Sequence, residues 1–278
     1  RPGTAAGQVS PQLFGILNIT EDSFSDGGRF LAPEAALAHA RAMMAGGADA
    51  LDIGAASSNP EAAAVAPEIE IARLESVVPQ LMKEGIPISV DTFSPIVQRW
   101  ALERNVAYLN DIQGFADPEL YPALAASNAK LIVMHSVQER GRATHMNVPP
   151  EEIVPLCIAF FERRIAQLLQ GGIARTRLIL DPGMGFFLGS NPETSLAMLR
   201  ALPQLKRAFG LPVLVSVSRK SFLRKIAGRD ARDSGPASLA AELFAALQGA
   251  DHIRTHDPAA ARDALRIWNA LNARHFGA

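Results

Sequence analysis

The chain has 278 residues, of which 48% are hydrophobic and 20% charged, so it can bury a sizeable core and is not typical of a disordered protein. Lys and Arg total 27 and Asp and Glu total 28, and this near balance argues against a binder of nucleic acid or of an anionic membrane surface. The single cysteine, Cys157, excludes an internal disulfide, and no apolar run approaches the roughly 20 residues of a membrane span, so we expect a cytoplasmic protein.

Eight short apolar runs, rich in Ile, Val and Leu, are predicted to be strands. They do not alternate strictly between polar and apolar residues, which is typical of parallel strands buried on both faces. In chain order the runs are 13–18, 50–54, 87–91, 106–110, 130–135, 178–181, 213–218 and 252–256.

A helix candidate follows each run, and each candidate begins at or near a proline, which the first helical turn tolerates. These prolines are Pro33, Pro67, Pro95, Pro118, Pro150, Pro192, Pro236 and Pro258. Ser94, Asp117, Asn191 and Asp257 precede four of them as candidate N-caps. The mean spacing of the prolines is about 32 residues, the size of one βα unit.

Eight strand–helix units in tandem predict a (β/α)8 TIM barrel. The alternative is a doubly wound open sheet, which usually begins with a glycine-rich first turn, whereas Gly15 is followed by Ile-Leu-Asn. We expect residues 1–11 to be a disordered or added lead-in outside the fold. Residues 12–278 show no linker or shift in composition and are predicted to form one domain.

Active sites of such barrels lie at the carboxyl ends of the strands, and every run ends in a polar residue. Asp52, Asp91, Asn110 and Asp181 offer hydrogen-bond acceptors, which suits a flat heterocycle rich in N–H groups, such as a pterin or guanine edge. Two other interpretations remain open. The three aspartates could hold Mg2+, and an aspartate at a strand end is often a helix cap.

The last two runs end in a cationic cluster. The seventh run leads into Ser218-Arg219-Lys220-Ser221, and the eighth ends in Arg254-Thr255-His256. Loops after strands seven and eight of barrels often bind phosphate, so these cations predict an anion site, although a salt-bridged rim is the alternative. The segments 20–30 and 55–66 are long enough to be lids over such a site.

Seven motifs in this order resemble the dihydropteroate synthase family over nearly the whole chain, from about residue 12. They are GILNITEDSFSDGG from Gly15, Val90-Asp-Thr, Leu109-Asn-Asp-Ile, Val133-Met-His, Leu180-Asp-Pro-Gly-Met-Gly-Phe, Ser218-Arg-Lys-Ser and Ile253-Arg-Thr-His. The resemblance implies a (β/α)8 barrel that condenses 6-hydroxymethyl-7,8-dihydropterin pyrophosphate with p-aminobenzoate, giving 7,8-dihydropteroate and pyrophosphate. It also implies a cytoplasmic homodimer that uses Mg2+.

The same resemblance implies roles for individual residues. The pterin would bind to Asp52, Asp91, Asn110, Asp181 and Lys220. Pyrophosphate would bind to Asn18, Arg254 and His256, and Asn18 would also hold the Mg2+. The p-aminobenzoate pocket would be formed by Phe24, Ser58, Pro60, Phe186, Phe187 and Ser221. Asp91, Lys220 and Asn18 would be the catalytic residues, with Asp91 stabilising the pterin cation left when pyrophosphate departs.

Two segments depart from the usual family pattern. Ser57-Ser58-Asn59-Pro60 lacks the usual arginine. Where the family usually has Gly-Phe-Gly-Lys, this chain has Gly185-Phe186-Phe187-Leu188, and both an insertion and a substitution would account for Phe187. Both changes resemble the mobile sulfonamide-resistance branch of the family. We hypothesise that Phe187 narrows the space that a sulfonamide tail needs and p-aminobenzoate does not; the alternative is that Phe187 only packs in the core.

Two rival functions stay open at this point. A methyltetrahydrofolate-binding methyltransferase domain shares the pterin-binding barrel but needs no pyrophosphate site, so Lys220, Arg254 and His256 argue against it. A non-catalytic pterin-binding paralogue gains some weight from the missing arginine.

Overall fold

The computed structural model describes residues 9–19, 33–56, 65–138, 148–230 and 233–273. Within these ranges eight parallel strands form one sheet with the order β6-β5-β4-β3-β2-β1-β8-β7. The strands are β1 Gln12–Asn18, β2 Ala50–Gly54, β3 Ile88–Asp91, β4 Tyr108–Asp111, β5 Lys130–Met134, β6 Leu178–Asp181, β7 Leu214–Val215 and β8 His252–Thr255.

The two outer strands of this order also meet, which closes the sheet into a barrel. Leu180 on β6 forms a parallel bridge with Val213, just before β7, and its N–H donates to the carbonyl oxygen of Pro212 at 2.9 Å. The predicted (β/α)8 TIM barrel is therefore confirmed.

Helices surround the barrel in the described part of the chain. They are α1 Pro33–Ala45, α2 Pro67–Glu75, α3 Val78–Lys83, α4 Pro95–Glu103, α5 Tyr121–Ala126, α6 Ile153–Gln170, α7 Pro192–Arg200, α8 Leu202–Phe209, α9 Ser221–Ala227, α10 Gly235–Leu247 and α11 Pro258–Asn272. None of them is long and apolar enough to cross a membrane.

Most proline positions predicted the helix starts well, but Pro118 begins a 3₁₀ turn before α5 and Pro150 precedes its helix by three residues. Pro150 lies in a turn, and α6 begins only at Ile153. The Ser94 side chain does not cap α4, whereas Asp117, Asn191 and Asp257 accept backbone N–H groups as expected of caps.

The amino-terminal boundary expected at residue 12 is less sharp in the structure. Val9 exchanges two hydrogen bonds with the amide of Asn269 on α11, at 2.9 and 2.8 Å. Residue 9 is thus tied to the barrel before β1 begins. The division of the chain into a lead-in and one domain stays a prediction.

Alternation along the strands separates a packed floor from a polar upper layer inside the barrel. Six strands supply one residue each to an apolar cluster: Phe14, Ala50, Tyr108, Ile132, Ile179 and Leu214. Two residues further along a strand the side chain points to the same side. This places Asp52 above Ala50, Asn110 above Tyr108 and Asp181 above Ile179, so the polar side chains converge on one end of the barrel.

Candidate active site

The carboxyl ends of β2, β3 and β8 are joined by a buried ion-pair network. The Arg254 guanidinium lies between two carboxylates, pairing through Nε with Asp52 and through Nη2 with Asp91, the latter at 2.5 Å. The Asp52 and Arg254 side chains are 1% and 14% exposed, so water screens this network little. Although burial opposes its charged form, the two carboxylates raise the pKa of Arg254 above its ordinary value.

Two buried acceptor atoms in this network have no hydrogen-bond partner among the described residues. Asn110 donates through Nδ2 to Asp52 Oδ2 at 3.1 Å, which leaves Asp52 Oδ1 and Asn110 Oδ1 unpaired. A buried unpaired acceptor costs about 1–3 kcal/mol, so a folded protein keeps two of them adjacent only for a reason. The pair is suited to a ligand that presents N–H donors.

Asp181 and Lys220 complete the polar layer on the opposite side of the barrel end. Asp181 Oδ1 accepts the N–H of Gly183 at 2.8 Å, and burial raises the pKa of Asp181 to about 6 against this bond and the Lys220 charge. Burial and the charge of Arg254 lower the pKa of Lys220 to about 8. In the same way burial raises the pKa of Asp91 to about 7, although Arg254 opposes the change.

The Lys220 ammonium also lies over an aromatic ring. Its Nζ is 5.1 Å from the centroid of the Phe187 ring, which packs with Ile112 and Met134 and is 6% exposed. Phe186, the preceding residue, is only partly buried. Phe187 therefore contacts both Lys220, which is predicted to bind the pterin, and the buried apolar side chains of Ile112 and Met134.

His256 lies beside this cluster, just after β8. Its Nδ1 is 3.0 Å from Ser218 Oγ, and its backbone N–H donates to the same oxygen at 3.2 Å. Burial and the charges of Arg219, Arg254 and Lys220 lower the pKa of His256 to about 3, so the ring is neutral without a ligand. A partly buried, neutral imidazole among cations is suited to receive an anion.

Comparison with known proteins decides the family. The family described as pterin binding enzymes matches residues 14–256. Dihydropteroate synthase type-2 of Escherichia coli is 58% identical over 259 residues, which cover 93% of this chain and 95% of that protein. The chain belongs to the dihydropteroate synthases.

Solved structures of synthases agree with this assignment. The Xanthomonas albilineans dihydropteroate synthase with 4-aminobenzoic acid superposes with a TM-score of 0.86 at 38% identity, covering 95% of this chain and 93% of that one. The same enzyme in complex with 7,8-dihydropteroate gives a TM-score of 0.82 at 37% identity, with 95% and 94% covered. The resemblance seen in the motifs is confirmed, and the chain is a transferase of this synthase family.

Asn18 is the residue that the synthase resemblance assigns to Mg2+. It is exposed at the carboxyl end of β1, and a Cβ added to Gly54 would lie 3.6 Å from Asn18 Oδ1 and 3.8 Å from Asp91 Cβ. The described residues contain no group of three His, Cys, Asp or Glu side chains that could hold a metal. One exposed amide oxygen nevertheless fits Mg2+, because this ion usually takes one or two protein ligands and completes its shell with phosphate and water.

Two further polar residues at the ends of strands, Asp111 and His135, bond to backbone groups. Asp111 accepts the N–H groups of Gln113 and Phe115 at 2.7 and 2.9 Å, which fixes the turn after β4. His135 bonds through Nδ1 to the carbonyl oxygen of Pro182 at 3.0 Å, and burial lowers its pKa to about 4.

Other predicted synthase residues are placed as follows. Ser221 begins α9 and lies 3.8 Å from a Cβ built on Gly185, close to Lys220. Phe24, Ser58 and Pro60 lie outside the described residues, as do most of the two expected lids. Sequence reasoning missed Glu242, which lies on α10 and approaches Ser218 from behind β8. A lone acidic residue inside an apolar helix stretch was its only signal.

Proposed function

We propose that the chain condenses 6-hydroxymethyl-7,8-dihydropterin pyrophosphate with p-aminobenzoate to 7,8-dihydropteroate and pyrophosphate. The observation that carries the proposal is the pair of acceptors without a partner among the described residues, which lies beside the partly buried cations Arg254 and Lys220 at one end of the barrel. A pterin presents N–H donors along one edge, and a pyrophosphate brings negative charge. The two halves of the substrate thus match the two kinds of group in the site.

The pterin would be held by its hydrogen-bonding edge. Asp52 Oδ1 and Asn110 Oδ1 have no hydrogen-bond partner among the described residues, so each can accept an N–H group of the pterin. Asp181 lies across the site with Lys220 next to it, which offers an acceptor and a donor to the remaining polar atoms. These four residues would orient the exocyclic methylene group toward Asp91.

Arg254 would couple pyrophosphate binding to the chemistry. Without a ligand its guanidinium is paired with Asp52 and Asp91. A pyrophosphate group competes for the guanidinium through charge-assisted, bidentate hydrogen bonds. As Arg254 moves to the phosphate, the Asp91 carboxylate is released to face the methylene carbon.

Cleavage of the carbon–oxygen bond leaves a delocalised pterin cation, which the Asp91 carboxylate would stabilise. Arg254 and His256 would hold the departing pyrophosphate. The amine of p-aminobenzoate would then attack the carbon, and the proton that it loses would pass to the released pyrophosphate. Asn18 would hold Mg2+ with the pyrophosphate, and the ion would supply charge neutralisation of the leaving group. We further propose a homodimer in the cytoplasm, as the family resemblance implies.

The p-aminobenzoate pocket is proposed next to Lys220, where Phe186, Phe187 and Ser221 lie close together. We propose that the chain is insensitive to sulfonamides because Phe187 occupies space that a sulfonamide tail needs. Its ring is fixed by Ile112, Met134 and the Lys220 ammonium, so it cannot move aside without breaking these contacts. The small carboxylate of p-aminobenzoate needs no such space.

Product analysis tests the proposed reaction. The protein is incubated with the pterin pyrophosphate, p-aminobenzoate and Mg2+, and the products are separated by chromatography. We expect 7,8-dihydropteroate and pyrophosphate in equal amounts. Tight pterin binding without product would instead indicate the non-catalytic paralogue, and binding of methyltetrahydrofolate in preference to the pterin pyrophosphate would indicate the methyltransferase domain.

A further inference from the structure

A buried amide group lies between α4 and the carboxyl ends of β3 and β4. It belongs to Gln98 on α4, which is 2% exposed. Its Nε2 atom donates to the Thr92 carbonyl oxygen and to Asp111 Oδ2, both at 2.9 Å. An amide nitrogen carries two hydrogens, so these two bonds use both of them. The proposed reaction as described so far has no role for this group.

The two acceptors of the Gln98 amide directly follow two residues of the proposed site. Asp91 and Asn110 are register partners on β3 and β4. Thr92 is the residue after Asp91, and Asp111 is the residue after Asn110. The Thr92 N–H donates to the Asn110 carbonyl oxygen at 3.0 Å, which extends the parallel ladder past Asp91. Beyond this bond the Gln98 side chain joins the two chains.

Asp111 is the fixed end of this connection. Besides the Gln98 amide, its carboxylate accepts the N–H groups of Gln113 and Phe115 from the turn after β4. The residue is 3% exposed, so water does not compete for these bonds. Because several donors hold one buried carboxylate, it cannot shift without breaking more than one hydrogen bond. Gln98 therefore connects Thr92 to a well-fixed group.

Thr92 is held through each of its polar groups. Its N–H bonds to β4 and its carbonyl oxygen accepts from Gln98. Its hydroxyl donates to Glu70 Oε2 at 3.1 Å and accepts the N–H of Ser94 at 3.2 Å. Glu70 lies on α2 and is 6% exposed. One strand and two helices thus fix the backbone next to Asp91.

Asp91 depends on this support more than Asn110 does. The Asn110 side chain donates to Asp52 at 3.1 Å, a bond that the proposed reaction leaves in place. The Asp91 carboxylate is paired with Arg254, which moves to the phosphate in the proposed reaction. After Arg254 has moved, the position of the Asp91 carboxylate depends on the backbone that carries it.

We propose that Gln98 is a positioning residue that, through the Thr92 carbonyl group, keeps the Asp91 carboxylate at the methylene carbon after Arg254 has moved to the phosphate. Gln98 is buried behind the strands and acts on the reaction only through the placement of Asp91. A misplacement of a reacting group by about 1 Å can cost about 100-fold in rate. Other residues bind the pterin edge, so pterin affinity does not depend on Gln98. This inference rests on the proposed function, because only that reaction separates Asp91 from Arg254.

Steady-state kinetics of Gln98→Met test the proposal in the full-length protein. Methionine has the same length as glutamine but no hydrogen to donate. Turnover is expressed per pterin-binding site, so that unfolded protein is not counted. We expect kcat to fall at least about tenfold, while the KM for p-aminobenzoate and the affinity for the pterin pyrophosphate change less than about twofold. A purely structural role would leave kcat per site unchanged, and that result would overturn the proposal.

A second variant separates the two bonds of Gln98. In Gln98→Glu the introduced carboxyl group faces the Asp111 carboxylate, so it keeps its proton and donates it there. The shape of the side chain and the bond to Asp111 are retained, and only the donor to the Thr92 carbonyl group is lost. We expect the same loss of kcat as in Gln98→Met. If Gln98→Met fails to fold, Gln98→Glu decides, and wild-type turnover in this variant would refute the role of the Thr92 bond.

The matched control is Asn269→Leu. Asn269 lies on α11, and its side-chain amide exchanges two hydrogen bonds with Val9, before the amino end of β1, at 2.9 and 2.8 Å. Its replacement also removes two hydrogen bonds of an amide, but at the other end of the barrel from Asp91. We expect wild-type kcat per site. A loss equal to that of Gln98→Met would show that the effect is not specific to the end of β3.

Crystal structures with Mg2+ and inorganic pyrophosphate give a readout that does not require turnover. We expect the Asp91 carboxylate of Gln98→Met to be displaced by about 0.5 Å or more from its position in the wild-type protein, and that of Asn269→Leu to stay in place. An unmoved Asp91 in Gln98→Met would rule out the positioning role, even if turnover falls. If Asp91 is displaced but the wild-type protein forms no dihydropteroate, the proposed function fails and the positioning of Asp91 by Gln98 stands.

Discussion

At the scale of residues, the site is defined by which buried polar atoms are satisfied and which are not. Asp52 lies on β2 and Asp111 is the last residue of β4, and the two look alike in the sequence. Asp111 is saturated by the turn that follows it, whereas Asp52 keeps one oxygen unpaired. On the proposed function, this difference distinguishes the carboxylate that binds the pterin, Asp52, from one that stabilises a turn, Asp111.

Replacing each of these aspartates by asparagine is expected to give opposite results. Asp52→Asn weakens the ion pair with Arg254 and turns part of the acceptor edge into a donor. We expect the affinity for the pterin pyrophosphate, measured by calorimetry, to fall about 100-fold. Asp111→Asn should lower the free energy of unfolding by about 1–3 kcal/mol and leave that affinity unchanged. Equal losses of affinity in the two variants would contradict the assignment.

A pH dependence follows from Asp181. A carboxylate accepts N–H groups from the pterin only when it is ionised, and burial raises the pKa of Asp181 to about 6. The contribution of Asp181 to pterin affinity should therefore be lost below pH 6, by up to about tenfold per pH unit. Calorimetry between pH 5 and 8 checks this, with Asp181→Asn as the control that should flatten this part of the profile. A flat profile for the wild-type protein would show that Asp181 does not bind the pterin.

At the scale of elements, the segment after β6 positions both halves of the site. Gly183 has a φ of +75°, and a Cβ built on it would lie 2.3 Å from the carbonyl oxygen of His135. The same residue donates its N–H to Asp181. The short 3₁₀ turn Gly185–Leu188 then carries Phe187 to Lys220.

Gly183→Ala is expected to move this segment, because the added methyl group meets backbone rather than a flexible side chain. Gly210→Ala is the matched control, since Gly210 has a φ of +61° but no atom within 4 Å of its built Cβ. Chemical unfolding should show a loss of about 1 kcal/mol for Gly210→Ala, from strain alone, and a larger loss for Gly183→Ala. Only Gly183→Ala should weaken pterin binding. Equal effects would mean that the contact with His135 is unimportant.

The 3₁₀ turn also carries the prediction on sulfonamides. Phe187→Gly should make sulfamethoxazole at least tenfold more inhibitory while p-aminobenzoate is still used, because the tail of the drug gains space. The loss of a buried ring costs about 3–5 kcal/mol, so the folded fraction is checked by circular dichroism. Phe222→Leu controls for the loss of a buried ring near the site, since Phe222 is 3% exposed on α9 and follows Ser221. It should leave inhibition by sulfamethoxazole unchanged. Unchanged inhibition of folded Phe187→Gly would leave Phe187 as a packing residue.

At the scale of the whole molecule, the apolar side chains that fill the barrel and the charged side chains of the proposed site lie in different layers along the barrel axis. The floor of the barrel is the apolar cluster that includes Phe14 and Tyr108, and the charged network lies above it. Parallel strands place all their carboxyl ends at one rim, so residues far apart in the chain, such as Asp52 and Arg254, come into contact.

The sequence alone predicted the eight strands, most helix starts and the residues that converge at the rim. Strand bounds were less accurate, since β7 is only Leu214–Val215 within the predicted run 213–218. The pairing of Arg254 with Asp52 and Asp91 could not be predicted, because it depends on where a long side chain ends rather than on the strand register. Glu242 was missed because its burial depends on how α10 packs against the barrel, which the sequence does not show.

The most direct test of the whole account is the release of pyrophosphate from 6-hydroxymethyl-7,8-dihydropterin pyrophosphate in the presence of Mg2+, with and without p-aminobenzoate. We predict release that depends on p-aminobenzoate and that continues when sulfamethoxazole is added. Absence of release from a protein that still binds the pterin would contradict the proposed synthase activity, and release abolished by the drug would contradict the proposed role of Phe187.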